Sequence, residues 1–570
     1  LCDILTAARI EGTVIPFDFT HWKEKRDELF GGPEHEKALE VLGEMNQLHF
    51  PVAFPEVFLR EREGFDVILG NPPWEEATLE ESSFWTRYFP GYQSLSQREK
   101  EAKRKIYKKE RPDLYEIYER ELEEAEITRK ALVNGPYPGM GTGDPDYYKA
   151  FCWRFWHLVT SIGGCIGVVL PRSALAAKGS EEFRWILFSE AKSTEATLIL
   201  NNRKWFFEEV HPQYTIGLVA IRKSSEKDVK NRVYLEGPYN SRSNYESRIK
   251  NGGASFTGEE VLSWNDSASL PLLPTDASIE VFTQLRKSPR LDLDEPGRWR
   301  ARPLAELHAT HDKKYFDLES EHCPKDFWPV YKGASFDLWQ PDTGEYYAWA
   351  DPDVVIPVLQ KKRIRGCKNL RSAFSEFDRD WCEDPSTLPC NFPRVAFRDV
   401  TNRTNRRTVV CALIPPNVFV ANQAPYLLFP SGEIEDQIYL LGVLASIPLD
   451  WYARRFVETH MNFYVFNSLP VPRPEKANDL YRRLISISGR LACPDERFED
   501  WADRIGVDCG PLGSDEKEDM IHELDAVVAH LYGLSERQLV HIFETFHEGW
   551  DYEARLKETL KHFREWRKRK

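Results

Sequence analysis

Short apolar runs bounded by glycine and proline alternate with longer stretches of helical periodicity over roughly the first 230 residues, and then the alternation stops. Residues 65–69, apolar apart from Asp66, form a run of the kind that fills a buried parallel strand, and Gly70 stops it. Further strands are predicted over 165–171, closed by Pro171, over 196–200 and over 214–221. The charged stretch 96–132 predicts a solvated helix laced with i,i+4 ion pairs. In 146–161, Tyr148, Phe151, Phe155, Leu158 and Val159 fall on one helical face, with Gly163 and Gly164 as the stop. The Gly/Pro-rich loop 135–144 lacks the Lys-Ser/Thr of a P-loop and reads as a flexible connection. Strands and helices at these intervals imply an α/β fold: a mainly parallel, twisted sheet with helices on its faces.

From about Gly237 the chain becomes proline-punctuated and aromatic-rich, which marks a second domain of mixed α and β structure. The last stretch is helical: 522–534 is amphipathic and ends at Gly533, and Ser535 with Gln538 forms a capping box for another helix. At 570 residues two or three domains are expected. The boundaries drawn are 1–230, 231–475 and 476–570, and no internal repeat is evident.

The most informative segment is Asn71-Pro72-Pro73-Trp74, a proline-stiffened turn directly after the first predicted strand. Ligands sit at such strand ends in open α/β sheets. Asn71 offers a side-chain carbonyl and Pro72 a backbone carbonyl with no N–H of its own, so both can accept from one exocyclic amino group. Trp74 supplies a flat face for a purine. Two acceptors and a stacking plane suit an enzyme that holds an NH₂ while its nitrogen lone pair attacks a sulfonium methyl, and no general base is required.

Net charge is −15, which excludes a generally sticky nucleic-acid binder, so any DNA contact must come from local basic clusters. Two stand out. One comprises Lys361, Lys362, Arg363, Arg365, Lys368 and Arg371, the other Arg394, Arg398, Arg403, Arg406 and Arg407. Together they could neutralise phosphates while Arg and Asn side chains read base edges. No apolar stretch is long enough for a membrane span and no signal-peptide pattern opens the chain, which fits a cytoplasmic protein. The ten cysteines form no C-x-x-C pair, so neither a zinc ribbon nor a disulfide framework is expected; Cys367, Cys382 and Cys390 read as small buried hydrophobes. No metal is expected. His211 reads as a loop residue, and His522, His530 and His541 carry no chemistry.

The N-P-P-W tetrad, with F-P-E-V-F (54–58) upstream, resembles motif IV of S-adenosylmethionine-dependent amino-methyltransferases, and in particular the large gamma-class adenine-N6 DNA methyltransferases of fused, type IIG-like restriction-modification enzymes. The helix, double glycine and strand over 146–171 look like motifs V and VI of the same family. W-F-F-E-E-V-H-P-Q-Y (205–214) resembles motif VIII, where the family places an aromatic against the extruded base, so Phe206 or Phe207 becomes the partner of Trp74. Segments 328–336 and 420–429 look like the family's target-recognition region.

The resemblance implies a Rossmann-like methyltransferase sheet, a target-recognition domain of mixed α and β structure, and a helical C-terminal tail, with S-adenosylmethionine as cofactor and double-stranded DNA as partner. The family's glycine-rich cofactor turn is missing before Asn71, and V-D-C-G-P-L-G (507–513) follows a polar stretch rather than a strand. The sheet is therefore expected to be incomplete at its N-terminus, with the cofactor-binding residues unknown. Because the chain opens on Leu1, it reads as starting inside a longer frame, with an upstream segment or subunit supplying the missing turn or a nuclease. Two rival readings stay open: a non-catalytic DNA-recognition subunit with a vestigial sheet, and a protein-glutamine or RNA methyltransferase.

Overall fold

The computed structural model describes residues 2–13, 24, 26, 30–43, 48–208, 210, 214–224, 231–249 and 253–569. The chain folds into two compact units, Leu1–Leu270 and Pro271–Lys570. The first holds a six-stranded sheet of β1 (Val67–Gly70), β2 (Cys165–Pro171), β3 (Ala191–Leu200), β4 (Thr215–Lys223), β5 (Arg232–Tyr239) and β6 (Ala254–Thr257). Their order is β1-β2-β4-β3-β5-β6. β1, β2, β3 and β5 run one way, β4 and β6 the other. Four strands share a direction, yet β4 is inserted antiparallel between β2 and β3, so three of the five pairings are antiparallel. Because β5 and β6 continue this sheet, the first unit extends past residue 230 to Leu270.

β2 spans the seven apolar residues expected of it, and its inward positions Ile166, Val168 and Leu170 are buried against helices on the sheet faces. β1 differs from expectation. Among the described residues it pairs on one side only, with β2, and leaves Val67 59% and Leu69 79% exposed. An apolar run alone does not distinguish a central strand from an edge strand; the number of hydrogen-bonded neighbours does.

The charged region forms two helices, Gln97–Glu110 and Pro112–Val133. A capping box of Ser96 and Glu99 starts the first, and Pro112 starts the second, since proline serves at the first turn and not within a helix. Between them and the preceding helix Glu81–Tyr88 lies an aromatic core of Phe84, Trp85, Tyr92, Tyr107 and Tyr118.

The second unit contains a four-stranded sheet ordered β11-β10-β13-β7 and a three-stranded sheet ordered β12-β8-β9. Their strands are β7 (Arg300–Leu304), β8 (Trp328–Tyr331), β9 (Ala348–Ala350), β10 (Arg394–Phe397), β11 (Cys411–Ile414), β12 (Phe419–Val420) and β13 (Tyr426–Ser431). The C-terminal helices Ser514–Leu531, Glu536–Glu544 and Glu553–Arg569 belong to the same unit. The His541 ring pairs with Ser278 Oγ at 2.9 Å, and Trp566 donates to Glu523 at 3.1 Å. The capping box of Ser535 and Gln538 forms as the sequence indicates. Cys367 and Cys382 form a disulfide, in place of the two separate buried hydrophobes expected, because the chain after the Pro352–Gly366 helix folds back on it.

Candidate target-amine site and basic surface

The N-P-P-W turn is fixed from below and from behind. Gly64 has φ +97°, and a Cβ there would lie 2.7 Å from the backbone N of Thr160, so only glycine lets the chain enter β1 at this angle. Phe65 then exchanges backbone hydrogen bonds with the next segment: its N–H donates to Leu158 O and its carbonyl accepts from Thr160, each at 2.9 Å. The Phe65 ring sits edge-on to Phe54 and Phe58 at 5.6 and 5.4 Å, which gives the F-P-E-V-F segment its structural task. At Gly70 a Cβ would stand 2.8 Å from the Phe155 ring. Beyond the turn, Ala77 N donates to Pro145 O and Tyr147 N to Glu75 O, both at 3.0 Å.

Within this frame the Asn71 side chain is exposed and makes no hydrogen bond among the described residues, and the Pro72 carbonyl likewise has no donor. Both acceptors are free. Pro72 itself is buried and Pro73 exposed, so the double proline forms a rigid step. Trp74 is half-buried, its Nε1–H is buried with no partner, and its ring stacks on no other aromatic ring among the described residues.

The Tyr147–Leu158 helix lies behind the turn with its face rotated from expectation. Tyr148, Cys152, Trp153 and Trp156 are buried, whereas Phe151 is 38% exposed and Phe155 half-buried, turned toward Gly70. Tyr148 donates to Ser173 Oγ at 3.0 Å, and burial pushes its pKa up, so it stays protonated. The loop over 135–144 is anchored where a flexible connection was expected: Met140 is buried and the Trp153 indole donates to Pro138 O at 3.0 Å.

Strand direction brings a second segment to the same edge. β1, β2 and β3 run in one direction, so their carboxyl ends face the same edge of the sheet: Pro171 and Leu200 pair with the adjacent Ile216 and Thr215, while Gly70 is level with Val168, three residues before the end of β2. Just past β3, Asn201 is fully buried and ties down the loop that carries Phe206 and Phe207. Its Oδ1 accepts from Phe206 N (3.3 Å) and Phe207 N (3.0 Å), and its Nδ2 donates to Phe207 O (2.8 Å) and Val210 O (3.0 Å). Phe206 and Phe207 are both half-buried, with ring centroids 4.8 Å apart in a T-shaped pair. His211 lies outside the described residues. Sequence reasoning missed Asn201; the only available signal was a polar Asn-Asn pair ending an apolar strand. Asn201→Ala should cost about 2–3 kcal/mol, because it removes buried hydrogen bonds and leaves their partners unsatisfied. The check is amide hydrogen exchange, which should accelerate at Phe206 and Phe207 and stay unchanged in β2.

In the second unit the basic residues divide into two kinds. Arg363 is fully buried, donating to Thr387 Oγ1, Gln360 Oε1 and Asp384 O at 2.8, 2.6 and 2.5 Å. Arg394 is buried against Glu306 (3.4 Å) and the Val418 carbonyl (3.0 Å). Burial pushes the Glu306 carboxyl up, against the pull of Arg394. Arg398 donates to Gly333 O and Phe336 O, Arg407 binds Asp450 at 2.5 Å, and Lys362 binds Asp312 at 2.6 Å. Arg403 is half-buried, and desolvation lowers its pKa. Arg363, Arg394, Arg398 and Arg407 therefore hold the unit together rather than face solvent, because each meets an internal acceptor set that sequence spacing does not reveal. Lys361, Arg365, Lys368, Arg371 and Arg406 are exposed, and none forms an ion pair among the described residues.

Among the described residues, no group of three or more His, Cys, Asp or Glu is placed to hold a metal ion, and no helix is long and apolar enough to cross a membrane. No protein-family model matches the sequence, and no curated protein matches it. Among solved structures, the chain is similar to the type IIL restriction-modification enzyme MmeI in complex with DNA: 13% identity, 84% of this chain and 56% of that one covered, TM-score 0.36. It is similar to the type IIG restriction endonuclease BpuSI at 15% identity, covering 71% and 52%, TM-score 0.26. A third is the ATP-dependent type ISP restriction-modification enzyme LlaBIII bound to DNA, at 9% identity, covering 85% and 31%, TM-score 0.33. The chain spans about half, or less, of the length of these proteins.

Proposed function

We propose that this chain carries the target-amine half of a site-specific DNA methyltransferase that transfers a methyl group from S-adenosylmethionine to adenine N6, as part of a restriction-modification system. The observation that carries this reading is the pair of free acceptors, Asn71 Oδ1 and Pro72 O, at the carboxyl end of β1 on the edge shared with the Phe206–Phe207 loop. β1 and β3 stand three strand spacings apart, about 14 Å at the backbone, a gap that two aromatic side chains and one base between them can fill.

An adenine in a duplex must leave the stack before its amine can reach such a site. Asn71 and Pro72 then accept the two N6 hydrogens and orient the lone pair outward, and Trp74 covers one face of the ring. As the nitrogen gains positive charge, both carbonyl dipoles already point at it, which is electrostatic help that needs no reorganisation. The sulfonium donor is a different matter. Among the described residues no glycine-rich strand-to-helix turn lies beside β1, so none is assigned to hold it. Target choice falls to the second unit, through the exposed cations named above.

The test incubates the protein and S-adenosylmethionine carrying a labelled methyl group with duplex DNA, RNA and protein extract. Label in 6-methyladenine of duplex DNA is the expected result. Label in RNA or in protein glutamine would overturn the DNA assignment, and duplex binding without label anywhere would favour a recognition subunit.

A further inference from the structure

Leu370 is 94% exposed, more than any other large hydrophobic side chain among the described residues. A single exposed leucine is ordinary. Its surroundings are not. It stands on a tight turn pinned at four points: Asn369 N donates to Gly366 O (2.9 Å), Lys368 N to Arg365 O (3.2 Å), Ser372 N to Asn369 O (2.8 Å) and Arg371 N to Asn369 Oδ1 (3.1 Å). The Cys367–Cys382 disulfide ties the base of the turn to a fully packed position, since Cys382 is buried. A rigid mount thus presents an apolar tip to water.

The same helix and turn carry four exposed cations. Lys361 and Arg365 lie one helical turn apart on the exposed face of the Pro352–Gly366 helix, Lys368 stands two residues before Leu370 and Arg371 follows it directly. None of the four forms an ion pair among the described residues, in a chain whose net charge is −15. Such a cluster fits a polyanion, and the exposed leucine among it in the chain fits a gap between apolar planes. We infer that this turn is a wedge for duplex DNA: the four cations seat on phosphates, and Leu370 enters the stack at one base step. Apolar side chains inserted this way unstack a step and bend the duplex. The inference rests on the DNA reading above and adds to it a means of loosening the helix. An anionic membrane would also attract the cations, but one leucine is too small an anchor for a bilayer, where lasting attachment takes more than one signal.

The experiment compares binding of two labelled duplexes of about 30 base pairs, roughly three helical turns, by fluorescence anisotropy at low salt. One is fully paired and the other has a single-nucleotide gap, at which unstacking is already done. The protein should prefer the gapped duplex by about tenfold. Leu370→Ala, which removes no packed contact, should bring that preference to about twofold or less while leaving affinity for the paired duplex within about twofold. A double variant, Lys368→Ala with Arg371→Ala, should weaken both duplexes alike and flatten the salt dependence. If Leu370→Ala keeps the full gap preference, the wedge is wrong and the DNA reading survives. If the protein binds neither duplex, the DNA reading fails and the wedge with it. Leu370-dependent binding to vesicles of phosphatidylserine and phosphatidylcholine, with no gap preference, would overturn the wedge in favour of a membrane contact.

Discussion

Asn71→Ala should lower methyl transfer to duplex adenine by about 10²–10³-fold, the usual effect of deleting one preorganised polar group aimed at developing charge. Duplex affinity should change by less than about twofold, because phosphate contacts dominate binding. The expectation follows from the site's geometry. The Asn71 side chain is exposed and takes no part in the packing of the turn, so its truncation leaves Gly64, Phe65 and the Ala77–Pro145 clamp in place, and the thermal midpoint should hardly move. Asn71→Asp supplies the control. An aspartate keeps an oxygen acceptor at the same reach, so it should retain a measurable part of the activity that alanine loses. Turnover on duplexes of defined sequence, read as 6-methyladenine, separates these cases. Full activity in the alanine variant would remove the amine-gripping role from the turn.

Much of this arrangement is legible in one sequence, and the division between what is legible and what is not follows from how far apart the interacting residues lie. β2 runs over the same residues as its apolar pattern, and the Ser535 cap forms where its side chain indicates, because each depends on neighbours within a few residues. The free acceptors of Asn71 and Pro72 are legible for the same reason: strand, stop and double proline are contiguous. The apolar run of β1 points to a buried strand, yet β1 is exposed, because its exposure depends on which strands flank it and β2 is almost a hundred residues away in sequence. The fate of the arginines is equally non-local. Arg394 is one of several similar basic residues in sequence, and only folding sets it beside Glu306, which also receives the Val420 N–H at 2.8 Å. The Cys367–Cys382 bond likewise depends on a return of the chain that no Cys-x-x-Cys spacing announces. The Phe206–Phe207 loop is intermediate: its aromatics are visible, whereas the Asn201 hydrogen bonds that place them are not.

The largest expected effect on stability lies at Asp450. This carboxylate is fully buried and faces two guanidinium groups, Arg407 Nε at 2.5 Å and Arg454 Nε at 3.4 Å, and it also accepts from Thr408 N at 3.2 and 3.1 Å. Arg454 is held by burial at a lowered pKa and packs 4.0 Å from the Phe546 ring centroid. Removing the one carboxylate leaves two buried cations and a backbone N–H with no counter-charge, a loss of about 3–5 kcal/mol. Since whole domains are stable by only about 5–15 kcal/mol, Asp450→Ala should move the urea midpoint of the second unit strongly at unchanged slope. Arg407→Ala should cost less, because Asp450 keeps Arg454. A shift under about 1 kcal/mol would mean that carbonyls alone satisfy the guanidinium groups. The effect should reach the surface as well. Arg454 donates to the carbonyls of Arg403, Asn405 and Arg406 at 2.9, 2.7 and 2.8 Å, so the loop that displays Arg406 is anchored through Asp450. On the DNA reading, a milder variant such as Asp450→Asn that still folds should therefore weaken duplex binding, although Asp450 touches no solvent.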